Sequence, residues 1–303
     1  MGYTHVCLSG KSPEMTCLLN ANMAARALPI IALVTAVLIL IAGPAAAQSP
    51  GSHRIILEAS MTQDATPIPF GVHWRVYGSA PGEDGKLPLL AQAEGGRKAF
   101  DFTPGAYLVH AAYGYASAVR RIVVEEEDKT EMFTLNAGAL QLNAVTGTGS
   151  RIAPARLRFD IYAQEADERG IRKLIARNIR ADEVVPFPEG TYHVVSQYGR
   201  LNAEIRADLR VEPGKVTQAT IEHRAARMTF RLVEREGGDA IANTQWSILT
   251  ESGDVITESA SAFPAFVLSE GTYTALARNT EKVYSRDFQV ISGVDQDVEL
   301  LAE

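Results

Sequence analysis

Alternation of apolar and polar residues runs through most of this chain. In Tyr107-Leu108-Val109-His110-Ala111, the residues Tyr107, Val109 and Ala111 share one face, the two-residue period of a strand with one buried side. Tyr192, Val194 and Ser196 repeat the pattern, as do Tyr273, Ala275 and Ala277. Helical periodicity is nearly absent after Ala47. Three central hairpins are predicted. His73 to Gly78 and Leu87 to Gln92 flank Pro81-Gly82-Glu83-Asp84-Gly85. Leu157 to Ala163 and Ile171 to Ala176 flank Asp167-Glu168-Arg169-Gly170, and Gln245 to Thr250 and Val255 to Ser259 flank Glu251-Ser252-Gly253-Asp254. Two further strands form a pair that closes each copy: Val119 to Val124 with Glu131 to Leu135, Ala203 to Val211 with Val216 to Ile221, and Arg286 to Val290 with Asp297 to Leu301.

These elements belong to a repeat. Pro104-Gly105-Ala106-Tyr107-Leu108-Val109 returns as Glu189-Gly190-Thr191-Tyr192-His193-Val194 and as Glu270-Gly271-Thr272-Tyr273-Thr274-Ala275, with the glycines 85 and then 81 residues apart. An apolar residue, Phe102, Phe187 or Leu268, stands three positions before each glycine. Tyr113-Gly114 and Tyr198-Gly199 hold the same offset, where the third copy has Asn279-Thr280. Trp74-Arg75-Val76-Tyr77, Phe159-Asp160-Ile161-Tyr162 and Trp246-Ser247-Ile248-Leu249 also correspond, and Ile55 and Leu57 match Leu140 and Leu142. About seven short strands per copy, broken by turn residues, predict an all-β chain of three tandem immunoglobulin-like β-sandwiches after an N-terminal signal helix. The expected modules are 48–137, 138–224 and 225–303, after an extension and signal segment at 1–47. The glycine is expected to start a strand from a tight turn. The tyrosine two residues later is expected to bury its ring and send its hydroxyl to the rim.

Asp101-Phe102-Thr103-Pro104-Gly105-Ala106-Tyr107-Leu108-Val109 resembles a hairpin of transthyretin-like and carboxypeptidase-regulatory-like β-sandwiches in bacterial envelope proteins. Phe187-Pro188-Glu189-Gly190-Thr191-Tyr192-His193-Val194 is similar to the same pattern, and Leu268-Ser269-Glu270-Gly271-Thr272-Tyr273-Thr274-Ala275 departs from it by ending in alanine. The resemblance implies spacer, adhesive or accessory modules without catalytic residues.

The first fifty residues bear on the compartment. Arg26 precedes an apolar stretch from Leu28 to Ala42, which Gly43-Pro44 breaks before Ala45-Ala46-Ala47-Gln48. That is the layout of a secretory signal cleaved between Ala47 and Gln48, with small Ala45 and Ala47 at the enzyme's tight pockets. Periplasmic or secreted localisation is expected, with inner-membrane anchoring if the segment stays uncleaved. Met23-Ala24-Ala25-Arg26 offers a second candidate start besides Met1. Both cysteines, Cys7 and Cys17, lie before the expected cut, so the mature part uses neither disulfides nor thiol chemistry. A formal net charge of −7 argues against nucleic acid and anionic membranes as partners.

Candidate chemistry is sparse. His53, His73, His110, His193 and His223 show no metal-ligand spacing, and the run Glu125-Glu126-Glu127-Asp128 lacks the spacing of a calcium loop. No Gly-x-Ser-x-Gly elbow or phosphate loop is present, and no Ser–His pair stands out. Neither an enzyme nor a cofactor is expected. Tyr113, Tyr115 and Tyr198 are the candidate ligand contacts, a ledge for a sugar or peptide, with Tyr115 the one expected to be exposed. Alternatively, Tyr113 and Tyr198 close the end of the core, and Trp74 and Trp246 are expected inside it. The function expected is a non-catalytic envelope protein acting as an interaction or spacer module, whose partner is an envelope protein or a glycan. The alternative is a periplasmic carbohydrate-binding protein that uses exposed rings.

Overall fold

A computed structural model describes residues 51–302. The signal segment, the cut between Ala47 and Gln48, the two candidate starts and both cysteines lie outside the described residues. Three modules follow one plan. Module 1 contains β1 (His53–Ser60), β2 (His73–Gly78), β3 (Leu89–Glu94), β4 (Lys98–Phe102), β5 (Gly105–Tyr113), β6 (Ala116–Val124) and β7 (Lys129–Thr134). Module 2 contains β8 (Ala137–Thr146), β9 (Leu157–Ala166), β10 (Arg172–Ile179), β11 (Val184–Pro188), β12 (Gly190–Tyr198), β13 (Glu204–Val211) and β14 (Val216–His223). Module 3 contains β15 (Ala225–Val233), β16 (Thr244–Thr250), β17 (Val255–Ala260), β18 (Ala265–Ser269), β19 (Gly271–Asn279), β20 (Lys282–Val290) and β21 (Gln296–Leu301).

Each module is a sandwich of a three-stranded and a four-stranded sheet. The four-stranded sheets run β3-β2-β5-β6, β10-β9-β12-β13 and β17-β16-β19-β20, all antiparallel. The three-stranded sheets run β4-β1-β7, β11-β8-β14 and β18-β15-β21. In each of these the last strand of the module lies parallel to the first: Leu57 pairs with Glu131, Leu142 with Ala219 and Phe230 with Val298. The two closing strands of a copy therefore do not pair with each other, contrary to the expectation from sequence. β6 extends one sheet and β7 crosses to the other. Ile122 and Phe133 thus enter one core from opposite sheets, which a two-stranded hairpin could not achieve.

Burial follows the alternation. Tyr107, Val109 and Ala111 point inward from β5, and Tyr273, Ala275 and Ala277 do so from β19. Trp74 and Trp246 are sealed in their cores, where each indole N–H donates to a carbonyl, Gly96 O at 2.9 Å and Ser261 O at 3.0 Å. In module 2 the same place is held by Phe159, which carries no donor to satisfy. Each such ring contributes about 1.5–3 kcal/mol through area removed from water.

The repeated tyrosine behaves as its position predicts. Tyr107 Oη donates to Thr103 O at 2.8 Å, Tyr192 Oη to Pro188 O at 2.9 Å and Tyr273 Oη to Ser269 O at 2.9 Å. Gly105, Gly190 and Gly271 turn the chain between these partners at φ of 159°, 157° and 155°. This is backbone that side-chain-bearing residues rarely adopt.

Candidate interaction surfaces

The modules meet through two equivalent joints with almost no linker. Asn136, at φ 46°, connects to β8 at Ala137, and Arg224 leads into β15 at Ala225. The strand of module 2 thus begins at Ala137, one residue before the boundary expected from sequence. The Ala137 side chain nevertheless completes the core of module 1, and Ala225 completes that of module 2. Matching backbone hydrogen bonds fix both corners. Glu189 N–H donates to Asn136 O at 2.9 Å and Glu270 N–H to Arg224 O at 2.8 Å, while Gly214 and Gly293 donate to Ala137 O and Ala225 O at 2.8 and 2.9 Å.

The main contact at each joint is a hairpin tip on a strand end. The turn between β5 and β6 lies on β11: Tyr115 N–H donates to Pro186 O at 2.9 Å, and the Tyr115 ring stacks on Phe187 with centroids 4.9 Å apart. Gly114, at φ 60°, lies so close to Pro186 that a Cβ would sit 2.7 Å from its ring. The turn between β12 and β13 lies on β18 in the same way, with Gly199 against Val267. There Asn202 Nδ2 donates to Tyr273 Oη at 2.9 Å, and Asn202 Oδ1 accepts from Ser269 N–H at 3.1 Å. Leu201 reaches the core of module 3 and Val267 that of module 2.

The three candidate tyrosines therefore do not form one ledge. Tyr113 is half-buried against the core of module 1, and Tyr198 is buried in that of module 2, so both close sandwich ends. Tyr115 is 41% exposed, but one face of its ring is taken by Phe187. The structure places Tyr115 and Tyr198 at different joints.

One polar pair escaped the sequence reading. Ser196 Oγ and His223 Nε2 are 2.7 Å apart and both residues are buried, with Tyr198 edge-on to the imidazole at 5.9 Å. Burial pushes His223 down to about 4. Among the described residues no carboxylate hydrogen-bonds to His223, and neither side chain is open to solvent, so the pair is sealed away from any substrate. The repeat contained the signal. Ser196 falls where modules 1 and 3 have Ala111 and Ala277, and His223 where they have Leu135 and Ala302.

The remaining titratable groups are dispersed. His110, lowered by burial and then by Arg75, faces outward on β5, and His193 Nδ1 lies 2.7 Å from Asp208 on an exposed sheet face. Glu125 to Asp128 form an exposed turn in which Asp128 Oδ1 accepts the Arg54 N–H at 2.8 Å. Among the described residues no group of His, Asp and Glu is arranged to hold a metal ion. A shallow hollow on the outer face of module 3 is lined by Gln245, Ser247, Glu258, Leu276, Arg278 and Val283. Arg278 donates to Gln245 Oε1 at 2.8 Å there, and Ser247 Oγ donates to Glu258 Oε1 at 3.3 Å, with no histidine in the lining.

Comparison with known proteins gives one family match and several distant structural likenesses. Residues 227–302, nearly all of module 3, match the model of the Rhizobiales growth-associated tandem repeat domain. The chain is similar in structure to the Bacillus anthracis TIE protein at 15% identity, over 82% of this chain and 51% of that one, with a TM-score of 0.23. It thus spans about half the length of that protein. It is also similar to GBS52, the minor pilin of Streptococcus agalactiae, at 14% identity over 57% and 95% of the two chains, with a TM-score of 0.30. BcpA, the major pilin subunit of Bacillus cereus, is similar at 9% identity over 83% and 100%, with a TM-score of 0.23. No curated protein sequence matches the chain.

Proposed function

We propose that this chain is a non-catalytic, exported envelope protein whose three modules hold or space a protein partner. The observation that carries the reading is the joint, built twice with the same corner hydrogen bonds and with a tip glycine against the same strand position. Such joints fix the order and spacing of modules, and they leave sheet faces and strand edges available for contact. Among the described residues the hydrogen-bonded Ser196–His223 pair is closed to substrate, which supports a role other than catalysis. Export rests on the signal-like segment before Gln48.

A glycan array and a broad hydrolase panel applied to purified residues 48–303 test this reading. Background signal on both is the expected result. Saturable glycan binding that is lost on Tyr115→Ala would replace the protein partner with a sugar, and turnover in the panel would overturn the non-catalytic reading.

A further inference from the structure

The two joints define what a module offers on its leading side: the strand end before the repeat glycine, covered by a hairpin tip from the module before it. Phe187 and Leu268 are fully buried at these places. Their counterpart in module 1, Phe102, is only half-buried, and among the described residues no hairpin tip covers it. The aromatic surface continues around it. Phe100 stacks on Phe102 at 5.8 Å, and Phe102 lies against Tyr107 at 4.7 Å. Tyr273 Oη receives a hydrogen bond from Asn202 of module 2, whereas among the described residues Tyr107 Oη, like Tyr192 Oη, bonds within its own turn. By register, Asp101 stands where Pro186 does: it pairs with Arg54 on β1, as Pro186 pairs with Ala139 on β8. The carbonyl that accepts Tyr115 N–H in module 2 thus has an equivalent on β4, an edge strand.

Charge decides what fits. The rim of this face carries Asp101, ion-paired with Arg54 at 3.3 Å, and, from the turn between β6 and β7, Glu125, Glu126, Glu127 and Asp128, so acids exceed bases there. That turn matches the one around Gly214, which in module 2 touches Thr62 of the preceding module. A second copy would bring up the tip Thr280-Glu281, with Lys282 next to it, between β19 and β20, together with Glu234, Arg235 and Glu236 after β15. Its backbone suits the joint, since Thr280 is at φ 54° and Gly114 at φ 60°. Its side chains do not: the tip supplies no ring, and its glutamates outnumber Arg235 and Lys282 against an already acidic rim.

We propose that the uncovered joint face of module 1, built on Asp101, Phe102 and Tyr107, docks the β-hairpin tip of a partner protein that carries an aromatic ring and basic side chains. This deepens the protein-partner reading above and rests on it.

The test supplies the missing tip to the protein itself. Thr280→Gly with Glu281→Tyr gives module 3 the two-residue tip of module 1, and glycine suits the positive φ already present. Sedimentation in high salt, which screens the acidic rims, compares this variant with wild type as the full chain and as residues 48–303. The expected result is self-association at least about tenfold tighter than wild type, lost when Phe102→Ala is added. If the double variant loses its fold, Glu281→Arg leaves the tip backbone intact and is expected to give a weaker, Phe102-dependent association at low salt. A folded variant that stays monomeric overturns the docking face while leaving the glycan and hydrolase results above untouched. Equal association by wild type would make a second copy the occupant, and association only after removal of residues 1–47 would assign the face to this chain's own leading segment. Either result overturns the proposal.

Discussion

Module 2 and its two neighbours share strand order, register and corner tyrosine, yet they fill one inward position differently. In module 1 the end of β7 and the middle of β5 bring Leu135 and Ala111 inward, and in module 3 the equivalent places hold Ala302 and Ala277. Module 2 has His223 and Ser196 there, hydrogen-bonded to each other and shut off from water. The framework accepts either solution because it fixes the backbone and leaves the layer between the sheets to be filled. The polar solution holds only while both partners are present and the imidazole is neutral. It also lies at the joint, since His223 O accepts Gly147 N–H at 3.1 Å and the next two residues lead into module 3.

Importing half of this solution into module 1 should have the largest effect. Leu135→His, with Ala111 kept, buries an imidazole without a partner and should cost about 3 kcal/mol or more, read as a lowered denaturation midpoint for module 1. Acid should act on module 2 by a comparable amount. The unfolded chain takes up a proton on this histidine near pH 6.5, whereas folded module 2 resists until about pH 4. Stability is therefore full above pH 6.5 and falls as the pH drops through this window, by on the order of 3 kcal/mol at its acid end. Hydrogen exchange between pH 7 and pH 4.5 should show β12 and β14 opening before β5 and β19.

Ser196→Ala alone leaves His223 Nε2 unpaired and should cost about 1–3 kcal/mol. Adding His223→Leu recreates the apolar pair of module 1 and should recover most of that loss. The double variant should also flatten the acid dependence, so retention of the wild-type pH profile would show that another group controls it. The joints should respond about as strongly as the single serine change. Gly199→Ala combines φ 79° with a Cβ only 2.8 Å from Val267 and should cost about 1–3 kcal/mol, with raised exchange at β18. Gly253→Ala, also at positive φ but facing open space, should cost about 1 kcal/mol and leave the neighbouring module unchanged.

The strands and the repeat were legible because both are written in local spacing. His73–Gly78 came out at its observed bounds, and the glycine–tyrosine corner closed as its two-residue offset implied. The third copy departs most from the shared motif, and it is the one that the tandem-repeat domain model covers. Long-range partnerships were not legible. Nothing near Glu131 indicates that its strand runs parallel to β1, more than seventy residues earlier. The joints were hidden for the same reason: Tyr115 looks like an exposed ring until Phe187 is brought beneath it. The Ser196–His223 pair was visible in principle, because aligning the three copies sets a serine against two alanines and a histidine against Leu135 and Ala302. A search for motif spacing within one stretch of chain passes over a pair that only the fold brings together.

The role as a partner-holding protein is tested most directly by cross-linking in intact cells, with the tagged protein recovered and its adducts identified by mass spectrometry. A single reproducible protein partner, cross-linked through one module, is the predicted result. Recovery of the chain alone, or joined only to glycan, would contradict it.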